Sequence, residues 1–382
     1  MYNECEDGGE EMKYSIEIGK IVEGALRRDY SKVSNYTQKL IDCLREDGEE
    51  RAASKFSKLL QGINESTLIA MGFGTDSLPV DSESRTVLAD VILPTETDEK
   101  VVLTEGNRQK IEAFIDGFKH ADKLHEIGIE AANTLLLYGP PGCGKTKCAY
   151  LVAKELGLPL VVARLDSLIS SYLGTTAKNI RMLFEYVQKT PCVLFLDEFD
   201  AIAKARDDSN ELGELKRVVN SLLQNVDSME KESVLIAATN HESLLDTAVW
   251  RRFGCKVEIE YPDEKAIGEM ISLFTKDRIV LSEKEISELS ILFEGLNGAA
   301  IEEIIISAVR KCVIQEVECD VIKIYDEFFI YKNIIPQNAS DKEKTEIVAK
   351  FLRGKNSKIF SLQVIADICK CSKSTISKLL KE

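Results

Sequence analysis

The sequence predicts an α/β fold: a parallel sheet with helices on both faces, extended by a helical lid and by small helical regions at the two ends. Three observations predict it. Between about 106 and 262, short apolar runs alternate with segments of helical period, as parallel strands joined by crossover helices do. One run, Thr134-Leu-Leu-Leu-Tyr138, passes directly into the glycine-rich octapeptide GPPGCGKT and then into a helix-period segment. Two others end in the polar pairs Asp197-Glu198 and Thr239-Asn240, at the strand ends where parallel sheets collect ligands.

Taken in order, residues 13 to about 62 read as a helical hairpin or bundle. Ile16, Ile18, Ile21, Val22 and Leu26, then Val33, Tyr36, Leu40, Ile41 and Leu44, recur at three- and four-residue steps. Breaks are expected near Asp29 and at Asp47-Gly48. Residues 66–105 read as a linker, rich in Ser, Thr, Asp, Gly and Pro, with a short strand at Val87–Leu93. Strands follow at Thr134–Tyr138, Pro159–Ala163, Cys192–Leu196, Ser233–Ala238 and Lys256–Glu260, with helices beginning near Gly144, Thr176, Glu211 and Leu244. The expected organisation is an N-terminal helical region (1–65), the linker (66–105), the α/β unit (106–262), the lid (263–325) and a C-terminal helical region (326–382).

Composition narrows the function classes. The 382 residues suffice for two or three domains. A net charge of −15 argues against a surface that binds nucleic acid throughout. The balance is uneven, since Lys342–Glu382 carries ten Lys/Arg against four Asp/Glu, a local +6. Ten cysteines show no metal-ligand pairing, only the C-x-C of Cys369 and Cys371, and read as reduced thiols of a cytoplasmic protein. No apolar run approaches the ~20 residues that span a bilayer, and the acidic N-terminus (Glu4, Glu6, Asp7, Glu10, Glu11) argues against a targeting peptide. A membrane is therefore not an expected partner.

GPPGCGKT has the chemistry of a phosphate cradle. Backbone N–H groups of the turn and of the helix N-terminus converge on an anion. Gly139, Gly142 and Gly144 leave room for the backbone to approach it, with Pro140, Pro141 and Cys143 completing the loop. Lys145 can reach the β- and γ-phosphates of ATP, and the Thr146 hydroxyl can ligate Mg²⁺. Asp197 can hold the same ion through water. Glu198 can orient and polarise an attacking water, and Asn240 can contact that water or the γ-phosphate. An Asn that merely ends a strand by turn propensity is the alternative for Asn240.

Residues from about 106 to 317 resemble the ATPase module of the AAA+ superfamily of P-loop NTPases, and of its AAA clade in single-module form. The match rests on GPPGCGKT, on Leu194-Phe-Leu-Asp-Glu-Phe-Asp-Ala-Ile-Ala203, on Ala237-Ala-Thr-Asn240, on Leu245-Asp246 followed by Arg251-Arg252-Phe253, and on Gly295-Leu-Asn-Gly-Ala-Ala-Ile301. The resemblance implies a homo-oligomeric ring, usually a hexamer, with ATP at subunit interfaces. It makes Arg251 and Arg252 fingers that reach the neighbour's nucleotide; a solvated pair is the alternative. It places Gly298 and Ala299 of the lid beside the nucleotide, with Ala300 standing where the family commonly has an acid.

Tyr172-Leu173-Gly174 resembles the aromatic–hydrophobic–Gly pore loop of rings that translocate protein, although an aromatic packed beneath a loop is the plainer reading. A polar loop, Ala205 to Glu211, is a weaker candidate for lining the same channel. The implied activity is ATP-driven remodelling, unfolding or disassembly of a protein substrate, with a separately encoded effector as partner. His120, His125 and His241 form no recognisable hydrolytic or metal set. The tail from Ser361 to Leu380 resembles a helix-turn-helix, with Ala366 at the helix crossing and Ser372 as an N-cap. Lys373, Ser374, Thr375 and Lys378 would then face DNA. Lys370 stands where many such turns have Gly. A three-helix cap that steadies the ring or binds protein is the competing reading of the tail, and an ATP-switched DNA-bound regulator is the competing reading of the whole.

Overall fold

The computed structural model describes residues 14–26, 30–62, 78–81, 85–93, 100–168, 173–189, 191–201, 212–229, 231–245, 247–336 and 338–381. Its centre is a six-stranded sheet: β1 (Ala89–Ile92), β2 (Thr134–Tyr138), β3 (Leu160–Ala163), β4 (Val193–Leu196), β5 (Val234–Thr239) and β6 (Cys255–Glu258). The order across the sheet is β1-β3-β4-β5-β2-β6. All neighbours run parallel except β1, which pairs antiparallel with β3. The short strand expected at Val87–Leu93 within the linker is β1, an edge strand of the sheet, and it adds one antiparallel pair to the expected parallel sheet. A four-residue edge strand with Asp90 exposed leaves only a weak periodic signal.

The apolar runs of β2, β3, β4 and β5 arise because these strands are buried on both faces. Leu136, Leu194, Leu196, Leu235 and Ala237 pack on one side. Leu135, Leu137, Val193, Phe195, Val234, Ile236 and Ala238 pack on the other. In these four strands the alternation of side chains feeds two cores at once, whereas the edge strands β1 and β6 carry exposed polar positions at Asp90, Lys256 and Glu258.

Three N-terminal helices, α1 (Ser15–Leu26), α2 (Tyr30–Glu46) and α3 (Glu50–Gly62), gather around Leu40, Ile41, Leu44 and Ala53. Within the α/β unit come α4 (Glu105–Lys119), α5 (Ala121–Glu126), α6 (Lys145–Leu156), α7 (Leu165–Leu168), α8 (Leu173–Lys189), α9 (Leu212–Asp227) and α10 (Thr247–Arg252). Helices α4 and α6 cover the Leu135 face, and α8 and α9 cover the Leu136 face. The helix expected near Leu244 is a short 3₁₀ turn, Glu242–Leu244, followed by α10. The helix expected near Thr176 begins at Leu173, so Leu173 and Gly174 stand in its first turn rather than in a loop. That turn has no i–4 acceptors to lose, which makes glycine tolerable there. Tyr172 and the loop 205–211 lie outside the described residues.

The lid and tail comprise α11 (Glu264–Thr275), α12 (Glu283–Leu292), α13 (Gly298–Gln315), α14 (Val321–Tyr331), α15 (Asp341–Lys355), α16 (Leu362–Ile368) and α17 (Lys373–Leu379). The expected boundary at 325/326 falls inside α14. Ile324, Tyr325, Phe328 and Phe329 of that helix share one core with Ile301 and Ile305 of the lid and with Leu352, Ile365 and Ile376 of the tail. Lid and tail are therefore packed on a common apolar centre rather than separated there. Among the described residues no helix is long and apolar enough to cross a membrane.

Candidate active site

The sheet order sets the site. β5 lies between β2 and β4, so the glycine-rich loop, the Asp-Glu pair and Asn240 emerge side by side at the C-terminal strand edge. Pro141 to Lys147, Asp197, Glu198, Asn240, Gly298 and Ala299 line one cavity of about 350 Å³. Gly139 and Pro140 contribute through their carbonyls instead. The buried Lys145 Nζ donates to Gly139 O and Pro140 O, both at 2.8 Å. Burial pulls the lysine below its ordinary range, with the Cys143 thiol and the Asp197 and Asp200 carboxylates opposing that shift. An ammonium held by carbonyls alone in such a place favours an incoming anion.

Cys143 is buried, and burial raises its thiol pKa although Lys145 opposes the shift. A protonated thiol is a poor nucleophile, so the position is structural.

The Thr146 hydroxyl donates to Asp197 Oδ2 at 2.8 Å. A hydroxyl and a carboxylate paired beside a phosphate loop are hard oxygen donors suited to a hard divalent cation. Asp197 Oδ1 also accepts from the Glu198 N–H at 2.9 Å. Glu198 is exposed and has φ +49°, left-handed backbone that costs a non-glycine residue roughly 1–2 kcal/mol. Its neighbour explains how that conformation is held. Phe199 is buried, donates its N–H to Ala238 O at 2.8 Å, and meets Phe253 edge-on at 6.0 Å. With Phe199 anchored inward, the chain must turn sharply, and the Glu198 carboxylate is turned towards the cavity. Next to it, Thr239 Oγ1 donates to Asp200 Oδ1 at 2.9 Å and accepts from His241 N at 3.0 Å, which fixes the turn carrying Asn240.

The lid closes directly on the loop. Asn297 caps α13 by accepting from Ala300 N at 2.9 Å, and its Nδ2 donates to Pro141 O at 3.0 Å. Ala299 N donates to Gly142 O at 3.0 Å. Gly142 has φ +74°, and a Cβ there would lie 2.6 Å from Asn297 Nδ2. Gly142→Ala should therefore push the lid cap off the loop and add backbone strain. A cost of about 1–2 kcal/mol predicts nucleotide affinity roughly tenfold weaker, read by titration with a fluorescent ATP analogue.

Several wall residues were not singled out from sequence. Val101 and Val102 of the presumed linker, with Met270, Leu273 and Phe274 of α11, form an apolar wall of the cavity. They carry no distinguishing signal, because apolar residues of a lid helix look like any core. Asn297 had one: an Asn before a small-residue helix start is an N-cap pattern.

The two arginines do not line this cavity. Trp250 packs edge-on against Tyr138 at 5.1 Å, and Thr134 Oγ1 donates to Arg252 O at 3.1 Å, so both ends of the turn holding the pair are tied to β2. Arg252 Nε lies 2.7 Å from Asp227 Oδ1 at the end of α9. Arg251 is exposed and makes no ion pair among the described residues. Ser374, Thr375, Lys373 and Lys378 are exposed on α17, part of the tail beyond the lid.

Comparison with known proteins follows this geometry. A family model described as "ATPase family associated with various cellular activities (AAA)" matches residues 135–261. An uncharacterized AAA family ATPase, y4kL, of Sinorhizobium fredii is 44% identical over 224 residues, which is 59% of this chain and 67% of that relative. The chain belongs to the AAA ATPase family. This AAA protein is an ATPase. It is also similar to a proteasome-activating nucleotidase of Methanopyrus kandleri, 31% identical over 60% of this chain and 55% of the relative. A third similarity is to an ATP-dependent zinc metalloprotease FtsH of Thermus thermophilus, 30% identical over 56% of this chain and 35% of the relative. The chain thus spans about half and about a third of the lengths of those two proteins.

Proposed function

We propose that this ATPase works as a homo-oligomeric ring, six copies in the family's usual form, with each nucleotide bound by one protomer and its hydrolysis completed by the next. The observation that carries the reading is the placement of Arg251. It is exposed, makes no ion pair among the described residues and lies outside its own protomer's cavity, while the cavity is lined by Lys100, Lys145 and Lys147 and by Asp197, Glu198 and Glu302 but by neither arginine of the pair. A guanidinium that cannot serve in cis is available in trans. Arg252, committed to Asp227, steadies the turn that presents it.

In this reading the loop N–H groups and Lys145 bind the β- and γ-phosphates, and the apolar wall of Val101, Val102, Met270 and Phe274 takes the base. Thr146 and Asp197 would hold Mg²⁺, which supplies charge neutralisation on the phosphate oxygens. Glu198 accepts a proton from water as its oxygen attacks the γ-phosphorus. The bond to the β–γ bridging oxygen breaks, leaving ADP and phosphate. Asn240 stands beside Glu198 to align the water.

The work done is remodelling, unfolding or disassembly of a protein substrate in the cytoplasm, through a central pore lined by Tyr172, Leu173 and Gly174, with a separately encoded effector. Two relatives, named as a proteasome-activating nucleotidase and an ATP-dependent zinc metalloprotease, both join a nucleotide to proteolysis by name, which supports that class. Tyr172→Ala tests it. ATP hydrolysis should persist while ATP-dependent unfolding of a tagged fluorescent substrate is lost; unfolding at the wild-type rate would contradict the pore reading.

A further inference from the structure

The tail carries chemistry that nucleotide hydrolysis does not use. Helices α15, α16 and α17 pack as a three-helix unit through Leu352, Ile365, Ala366 and Ile376, all essentially buried. The connection between α16 and α17 is four residues, Cys369 to Ser372. Lys370 there has φ +50°, the left-handed turn position that usually belongs to glycine. Cys371 N donates to Ala366 O at 2.9 Å and Lys370 N to Asp367 O at 3.2 Å, the paired bonds of a Schellman stop. Ser372 then caps α17, accepting from Thr375 N at 3.2 Å. A four-residue connection with a left-handed turn, joining two helices whose buried residues share one core, is the connection a helix-turn-helix uses.

Charge points the same way. The lysines of α15 are largely neutralised within the fold, with Lys344 on Asp341, Lys350 on Glu346 and Lys355 on Glu294. Burial raises the Asp326 carboxyl above its ordinary range, with Lys323 and then Lys370 opposing the shift. Lys342 at the start of α15, and Lys358, Lys373, Lys378 and Lys381 beyond it, remain exposed and make no ion pair among the described residues. The local excess of positive charge is therefore concentrated towards α17, in a chain whose net charge is −15. One face of α17 is sealed by Ile376 and Leu379, and the other presents Lys373, Ser374, Thr375 and Lys378.

We propose that residues 361–379 form a DNA-binding helix-turn-helix, with the exposed face of α17 entering the major groove of duplex DNA and its lysines on phosphates. Duplex DNA is favoured over other nucleic acids by the side chains present. The exposed positions of α16 and α17 carry no aromatic ring on which unpaired bases could stack. The major groove of A-form RNA is too narrow to admit a helix. This inference is independent of how the ring uses ATP.

The test is fluorescence anisotropy of the full chain with a labelled mixed-sequence duplex, a matched single strand and a matched RNA duplex, over a salt series. The duplex DNA should bind best, with affinity falling steeply as salt rises. Lys373→Glu/Lys378→Glu should weaken binding at least ~10-fold and flatten the plot of log affinity against log salt by about 2. Lys123→Glu/Lys276→Glu makes the same charge change at exposed positions elsewhere and should bind as wild type. ATPase activity, unchanged in all, reports folding. No duplex binding by wild type at low salt, preference for single strand or RNA, or equal loss in both double variants would each overturn the proposal.

Discussion

Replacing Glu198 with Gln lowers ATP turnover on the order of 10²–10⁴-fold while nucleotide stays bound. The change keeps the shape of the side chain and its place on the left-handed turn, so Phe199 remains anchored and the cavity keeps its walls. What is lost is the carboxylate that takes the proton from attacking water. Lys145, Thr146 and Asp197 are untouched, so affinity is preserved, and the variant should retain ATP through gel filtration where the wild type releases ADP. Wild-type turnover in this variant would remove Glu198 from the reaction.

Arg251→Ala should cost more, on the order of 10³–10⁵ in turnover, the range for loss of an arginine finger in related phosphoryl-transfer sites. The side chain is exposed and makes no ion pair among the described residues, so its removal should leave melting temperature and nucleotide affinity nearly unchanged. Arg252→Ala should behave differently. It breaks the pair with Asp227 and loosens the turn that carries both residues, so a loss of activity there would be accompanied by a fall in stability. Thermal melts of the two variants beside their turnover separate a residue that acts on the phosphoryl group from one that positions it.

Strands β2 to β5 were legible because burial on both faces writes them as unbroken apolar runs, and each strand boundary differs from expectation by at most two residues. The polar residues of the cavity were legible from position: Lys145 and Thr146 open the helix after the glycine-rich loop, and Asp197, Glu198 and Asn240 sit where a strand ends. Three things were not legible. β1 pairs with β3 across about 70 intervening residues, and a short half-polar edge strand carries no mark of its partner. The apolar wall of Val101, Val102, Met270 and Phe274 is assembled from two distant segments of ordinary hydrophobic composition. The division between lid and tail dissolves because α14 presents apolar residues to both, which no linker composition announces. The left-handed Lys370 is the reverse case. From sequence it weakened the resemblance to a helix-turn-helix, whereas its backbone adopts the conformation that glycine would have taken.

The claim on which the account turns is that the residue completing hydrolysis belongs to the adjacent protomer. Lys145→Ala and Arg251→Ala chains, each inactive alone, should be co-assembled and assayed together. A protomer that binds ATP but lacks Arg251 would then adjoin one that lacks Lys145 but offers Arg251. Restored ATP hydrolysis in the mixture, rising with total protein concentration, is the predicted result. A mixture no more active than the sum of its two parts, or an Arg251→Ala protein that hydrolyses ATP normally by itself, would contradict it.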